Sequence, residues 1–396
     1  MTSRAYIIDA VRSPFARARE DGALHRVHPV DLYATVLKAL VKRNDIDPAL
    51  LDDVVTGCVI QVAEQAANIG RHAALAAGLP ESVPGVTLDR KCGSSQQALD
   101  FAAASIAAGN YDLAIAGGVE MMGVVPMRVN RMGKDNEGPM LKARYPEGFI
   151  RQGISAELIA ARWGVSREEM DEFSLRSHQL AAADEGVSRD IVPIETTDLE
   201  GHSITVTADE GIRANSTLAK LSSLKAAFES PEMTERYPEI NWSVTAASSS
   251  QVTDGASAVL LASEHMVSRL NLKPRASIMR STVAGDDPIL MLMGIIPATT
   301  KLLNKVGLSV GDIGAFEVNE AFAPVVLGWS KEFDVELDQI NVFGGAIALG
   351  HPVGASGGRL TANLLRAMES RKCRYGIQTM CESGGMANAT LFEQVH

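Results

Sequence analysis

The feature that most constrains the fold is that the sequence resembles itself. LKALVKRNDIDPALLDDVVTGCV (residues 37–59) is echoed by TKLLNKVGLSVGDIGAFEVNEA (300–321). The helix-like run after Cys92 leads to DLAIAGGVEMM (112–122), and the one after Gly354 leads to YGIQTMCESGG (375–385). The offset stays near about 260 residues across these pairs, as a duplicated unit requires. The 396 residues are also too many for one simple core. Each unit alternates strand-like and helix-like stretches. YIIDAV (6–11) and DVVTGCVI (53–60) read as strands, and DLYATVLKALVKR (31–43) carries Leu32, Val36, Leu37, Leu40 and Val41 at helical spacing. The expected fold class is therefore layered α/β.

Between the repeats lies a segment of different character, rich in charge, Met, Asn and Gly. It includes MRVNRMGKDNEGPM and an amphipathic helix over 166–186 opened by a Ser166/Glu169 capping box. This reads as an insertion lying over the first half, a place where binding sites are often shaped. The expected division is 1–121, completed by 245–271, for the first half, 122–244 for the inserted loop domain, and 272–396 for the second half.

A net charge of −11 argues against nucleic acid as a partner, because an acidic surface repels phosphate backbones. The opening MTSRAYIIDAVRSP lacks the long apolar core of a secretory signal, and no apolar run is long enough to span a bilayer. A cytoplasmic protein with no membrane partner is expected. Of four cysteines, none has CxxC spacing or a histidine at ligand spacing, so neither a metal site nor a disulfide framework is expected.

Four clusters carry chemistry. Cys92, in LDRKCGSSQQALDFAAASIAAG (88–109), precedes a helix-like run. At a helix N-terminus the dipole would favour its thiolate, with Arg90 and Lys91 adding to this or pointing to solvent; the alternative is a small Cys packed under a helix start. His351 sits in the Gly-rich stretch VFGGAIALGHPVGASGGRL (342–360), as a rigidly held base or an incidental turn residue. Cys381, in MCESGGMANAT (380–390), ends a strand beside glycines. Asn319 and Glu320, in FEVNEAFAPVV (316–326), follow a strand, and simple helix capping by Asn319 is the alternative. Cys58 reads as core packing and Cys373 as incidental.

Taken in order, Cys92 before small residues, Asn319–Phe322, Gly350–Pro352 with Gly354–Gly357, and Cys381 before glycines resemble the thiolase family over essentially the whole chain. The resemblance implies two similar βαβαβαββ halves in a five-layer α-β-α-β-α thiolase fold, with a loop domain inserted in the first. It implies an acyltransferase acting on 3-ketoacyl-CoA, with coenzyme A as co-substrate and no permanently bound cofactor. Cys92 would be the nucleophile, His351 its base and Cys381 the second acid/base. Asn319 would hold a water at the first oxyanion hole, and the N–H groups of Cys92 and Ser383 would form the second. Arg213, Leu224, Ser250, Ala321 and Phe322 match family positions that meet coenzyme A. A homodimer or a tetramer of paired dimers is also implied. A biosynthetic condensing thiolase, a ketoacyl synthase and a non-catalytic acyl-CoA binder are the competing readings; the single well-placed histidine and the second cysteine argue against the synthase, and the retention of Cys92, His351, Cys381 and Asn319 together argues against the binder.

The sequence departs from the family pattern in four places. Asp89 and Cys92-Gly93-Ser94-Ser95 replace Asn and Cys-Ala-Ser-Gly, and Ser383 and Ala387 break the late glycine run. Arg151-Gln152-Gly153 and Met291-Leu292-Met293-Gly294-Ile295 replace other loop stretches. The larger residues around Met291 imply an altered acyl pocket and a bulky or branched substrate. These departures resemble those of actinobacterial thiolases of lipid or sterol breakdown.

Overall fold

A computed structural model describes residues 4–395. The first half runs β1 (Ala5–Arg12), β2 (Ala16–Arg17), α1 (Pro29–Arg43), β3 (Asp53–Gly57), α2 (Ile69–Ala76), β4 (Gly85–Leu88), α3 (Ser94–Ala108) and β5 (Leu113–Met121). The intervening segment holds α4 (Gly138–Arg144), α5 (Gln152–Arg162), α6 (Arg167–Ala182), β6 (Ile194–Thr197), β7 (Ser203–Val206), α7 (Leu218–Ser222) and α8 (Pro231–Arg236). The chain then returns through β8 (Thr253–Ser263) and α9 (Glu264–Arg269). The second half runs β9 (Ala276–Gly285), α10 (Ile295–Val306), β10 (Ala315–Val318), α11 (Ala323–Phe333), α12 (Ala346–Leu349), α13 (Ser356–Arg371), β11 (Tyr375–Glu382) and β12 (Met386–Gln394).

The repeat is visible in this order. β3, α3 and β5 begin at Asp53, Ser94 and Leu113; β10, α13 and β11 begin at Ala315, Ser356 and Tyr375, the same separation each time. Parallel pairs β3·β4, β3·β5 and β10·β11 are flanked in each half by antiparallel strands, β8 against β5 and β12 against β11. β1 pairs with β9 through Ala5–Ile278 to Ile7–Ala276, so the sheets of the two halves join edge to edge in one hydrogen-bonded sheet.

Local sequence explains the helices that make the outer layers. His28 caps α1, Pro29 supplies the fixed φ of its first turn, and Leu32, Val36, Leu37 and Leu40 form its buried stripe. That stripe packs with α2 on one face of the first half. On the opposite face α3 and α13 share a core of Ala98, Leu99, Ala102, Ala362 and Leu365. Beyond the second half's strands, α10 and α11 close the fifth layer through Leu302, Val325 and Trp329. The five-layer thiolase arrangement expected from the sequence is present.

The insertion does not lie over the first half alone. Ile154, Leu158 and Ile159 of α5 and Met170 and Phe173 of α6 join the outer core of the second half. Ile194 and Val206 of the β6–β7 hairpin join that of the first. A buried two-pronged ion pair, Arg12 Nη1 and Nη2 to Asp209 Oδ1 and Oδ2 at 2.6 and 2.7 Å, fastens the segment to β1. Residues 153–160 of α5 are all buried, so this helix is enclosed on every side and is not laid on one surface. The capping box at Ser166 and Glu169 is formed in both directions.

Candidate active site

Cys92 lies in the loop between β4 and α3, 6 % exposed, with Gly93 as the helix N-cap. Lys91 turns the chain through a left-handed φ of 49°. Ser94 staples the loop: its Oγ accepts from the Arg90 N–H at 2.9 Å and donates to the Lys91 carbonyl at 2.6 Å. The expectation of a ready thiolate is not met. Burial pushes the Cys92 thiol up to about 12 and the Glu382 carboxyl adds to this. The backbone N–H groups of Cys92 and Ser383 pull it back, and Lys91 does so least. Lys91 helps little because its ammonium is held by Asp89 at 2.5 Å. A helix dipole falls off within a turn and does not offset desolvation of this size.

Cys381 is the next-to-last residue of β11, 1 % exposed. Burial, then the neighbouring Cys92 sulfur, then Glu382 push its thiol far above the ordinary range. The Cys381 thiol thus feels the Cys92 sulfur. Met380, the residue before Cys381, packs with Cys92 and Leu360, and Val353, two residues after His351, packs on the same group.

His351 is held through both its backbone and its ring. Its N–H donates to the Gln251 carbonyl at 3.0 Å. Its Nδ1 lies 2.6 Å from Ser356 Oγ, while that hydroxyl gives its one proton to the Pro352 carbonyl at 2.9 Å. With the Ser356 hydroxyl donating to Pro352, Nδ1 carries the hydrogen and the lone pair lies on Nε2, which Asn319 Nδ2 faces. Burial, with the Arg359 charge adding, pulls the imidazole down to about 3, so it is neutral. Gly350, at φ 99°, is required here, because a Cβ would meet the Thr253 side chain at 2.4 Å.

Asn319 is not a helix cap; α11 begins later, after Phe322. Its Nδ2 approaches His351 Nε2 at 3.4 Å, and its buried Oδ1 has no partner among the described residues. Glu320 is a brace. It accepts from Ser177 Oγ at 2.7 Å, the Ile347 N–H at 3.1 Å and Asn341 Nδ2 at 3.1 Å, tying α6 to the loop that leads to His351.

The expected coenzyme A positions divide into two groups. Ser250, Ala321 and Phe322 are brought together: the Ser250 N–H donates to the Ala321 carbonyl at 2.9 Å, and Ser249 bridges Phe322. Arg213 and Leu224 are exposed on the insertion, and the Arg213 guanidinium makes no ion pair among the described residues. Met291 is buried in the second half's outer core at a left-handed φ of 35°. Ser383 Oγ accepts from Gln152 Nε2 at 2.9 Å, so the insertion touches the loop after Cys381. Cys58 is buried and Cys373 partly so, and neither joins this cluster. Sequence reasoning missed the roles of Ser356 and Gln152. Ser356 stood inside a quoted motif, but only coordinates reveal which atom it binds.

Residues 5–265 match the family described as thiolase, N-terminal domain, and residues 272–394 the thiolase, C-terminal domain. The chain belongs to the thiolase family, and is an acyltransferase of that class. It is 45 % identical to the steroid 3-ketoacyl-CoA thiolase FadA6 of Mycobacterium tuberculosis, covering 99 % of this chain and 95 % of that protein. It is 42 % identical to the 3-ketoacyl-CoA thiolase of Shigella dysenteriae, over 98 % and 99 % of the two chains. The crystal structure of the Bacillus anthracis acetyl-CoA acetyltransferase superimposes with a TM-score of 0.88 at 36 % identity, covering 100 % of this chain and 99 % of that one.

Proposed function

We propose that this thiolase cleaves 3-ketoacyl-CoA in the degradative direction, with an acyl group carried on Cys92. The observation that carries this reading is the buried grouping of Cys92 with Met380 and Val353, the neighbours of Cys381 and His351, with the Cys92 sulfur felt at Cys381 and Asn319 Nδ2 at 3.4 Å from His351 Nε2. Nε2 takes the Cys92 proton as the sulfur attacks the 3-keto carbon. Neutral thiol and neutral imidazole are the resting pair, so proton transfer accompanies attack rather than preceding it.

The tetrahedral adduct collapses by breaking the bond between the 2- and 3-carbons, which releases the enolate of acetyl-CoA. Cys381 gives its proton to the enolate carbon. Its thiolate then takes the proton of an incoming coenzyme A thiol, whose sulfur attacks the acyl-Cys92 thioester. Cys92 leaves as thiolate and recovers its proton from His351. The Cys92 and Ser383 N–H groups, which point at the sulfur's surroundings and lower its pKa, serve the oxyanion formed on the acyl group. Asn319, with a water on its free Oδ1, serves the thioester oxygen with His351. Ser250, Ala321 and Phe322 line the pantetheine arm, and Arg213 and Leu224 lie toward the nucleotide.

The substrate carries a bulky or branched acyl chain, of fatty-acid or sterol side-chain type. The Met291–Ile295 stretch and the similarity to a relative named for steroid 3-ketoacyl-CoA support this. The 122–244 segment acts as the loop domain over the site, in a cytoplasmic homodimer or homotetramer. A thiolysis assay over a panel of 3-ketoacyl-CoAs tests the reading. Turnover of long or branched members above acetoacetyl-CoA is expected; acetoacetyl-CoA far ahead of all others would refute the substrate assignment.

A further inference from the structure

One of the sequence's departures from its family, Gly93, meets the residue that follows Cys381. Glu382 is fully buried, and a Cβ on Gly93 would lie 2.0 Å from its Oε1 and 2.3 Å from Oδ1 of Asn388. Glycine at the N-cap of α3 is thus the counterpart of a carboxyl at the end of β11. Asn388 is oriented by its Nδ2, which donates to Gln97 Oε1 at 3.1 Å and approaches Asp100 Oδ2 at 3.4 Å. Its Oδ1 and both Glu382 oxygens lack partners among the described residues. Two acceptors crowd one Cα with no donor between them, and a proton on Glu382 would resolve that conflict.

The charged and titratable groups around Glu382 are Arg90 and Asp89 from the loop, Cys92 after them, Asp100 from α3 and Cys381 on its own strand; β12 offers the neutral Asn388 and Thr390. Burial raises Glu382 to about 8, against the pull of Arg90. Glu120, at the equivalent place in the first half, shows what a structural carboxyl looks like. It accepts from the Val59 N–H at 2.8 Å, the Ile60 N–H at 3.1 Å and Gln65 Nε2 at 2.8 Å. Glu382 braces nothing, so folding does not account for it.

We propose that Glu382 is a positioning residue for the nucleophile: its ionised form holds Cys92 as the thiol, and its protonated form, hydrogen-bonded to Asn388, lifts that restraint. The inference rests on the reading of Cys92 as nucleophile.

The test is the rate of Cys92 alkylation by iodoacetamide, followed by peptide mass spectrometry from pH 6 to 10, in the wild type, E382Q and E382D. The E382Q and wild-type profiles are expected to coincide below about pH 7, where Glu382 is protonated, and to separate above about pH 8, with E382Q reacting about tenfold faster by pH 10. E382D, which withdraws the charge by one methylene, departs from the wild type the same way but less, and carries the test should E382Q not fold. Superimposable profiles would overturn the proposal. Acylation of wild-type Cys92 by a 3-ketoacyl-CoA is measured alongside. Acylation with an unshifted profile sinks the role of Glu382 alone, whereas no acylation sinks the nucleophile assignment beneath it.

Discussion

In the first half the loop entering α3 reads Arg90-Lys91-Cys92-Gly93; in the second, the loop entering α13 reads Pro352-Val353-Gly354-Ala355. Both helices open with a serine that staples its loop. Ser94 holds the Lys91 carbonyl and Arg90 N–H, and Ser356 holds the Pro352 carbonyl and the His351 ring. One device, duplicated, fixes a thiol in one copy and an imidazole in the other. The helices share the middle layer and their first turns touch: a Cβ on Gly357 would lie 2.3 Å from the Gln96 nitrogen. The strand ends differ in a complementary way: β5 ends in a satisfied Glu120, while β11 ends in Cys381 and an unsatisfied Glu382. Duplication supplied the scaffold, and function resides where the copies diverge.

The comparison breaks most sharply at the thiol. C92S should lower thiolysis by about 10³-fold or more, since a hydroxyl at this buried site is a far weaker nucleophile. Retained turnover would mean the first-half loop is not the reacting one. The staples come next. S356A frees the Nδ1 hydrogen and the ring, and should cost about 10² in kcat with recovery in S356T. S94A should disturb alkylation of Cys92 but leave the kinetic pKa of the base in place. Equal pH–rate profiles for the two variants would make both serines merely structural. N319A removes a donor facing His351 and should cost about 10² in kcat.

Smaller effects separate the two carboxyls. E120Q places a donor against groups that donate, and urea unfolding should show a loss of about 1–3 kcal/mol; E382Q should show none or a gain. Glu382 and Asp100 titrate in the folded chain near 8 and 7, above their ordinary values of 4.5 and 3.8. The native state binds the extra protons. Their favourable contribution is therefore complete below about pH 4 and lost as pH rises through 7 to 8. The wild-type melting temperature should decline over that window, and E382Q should decline less; parallel curves would contradict the assigned burial of charge.

Much of this was legible in the sequence because it is local or periodic. The repeat, the α1 stripe, the Ser166 capping box and the motifs around Cys92, Asn319, His351 and Cys381 each occupy a short window. The state of the thiol was not legible. Helix position argued for a thiolate, but desolvation and a carboxyl from the other half of the chain decide otherwise. The resting place of α5 and α6 was also hidden, because an apolar face does not say which sheet will cover it. Gly93 and Ser383 looked like separate oddities until the coordinates put Glu382 beside the first and Gln152 against the second.

The most direct test is peptide mapping after brief reaction with a branched 3-ketoacyl-CoA in the absence of added coenzyme A. The acyl mass should sit on the peptide bearing Cys92 and disappear when coenzyme A is supplied. An acyl group on Cys381, or on neither cysteine, would contradict the assignment of the nucleophile.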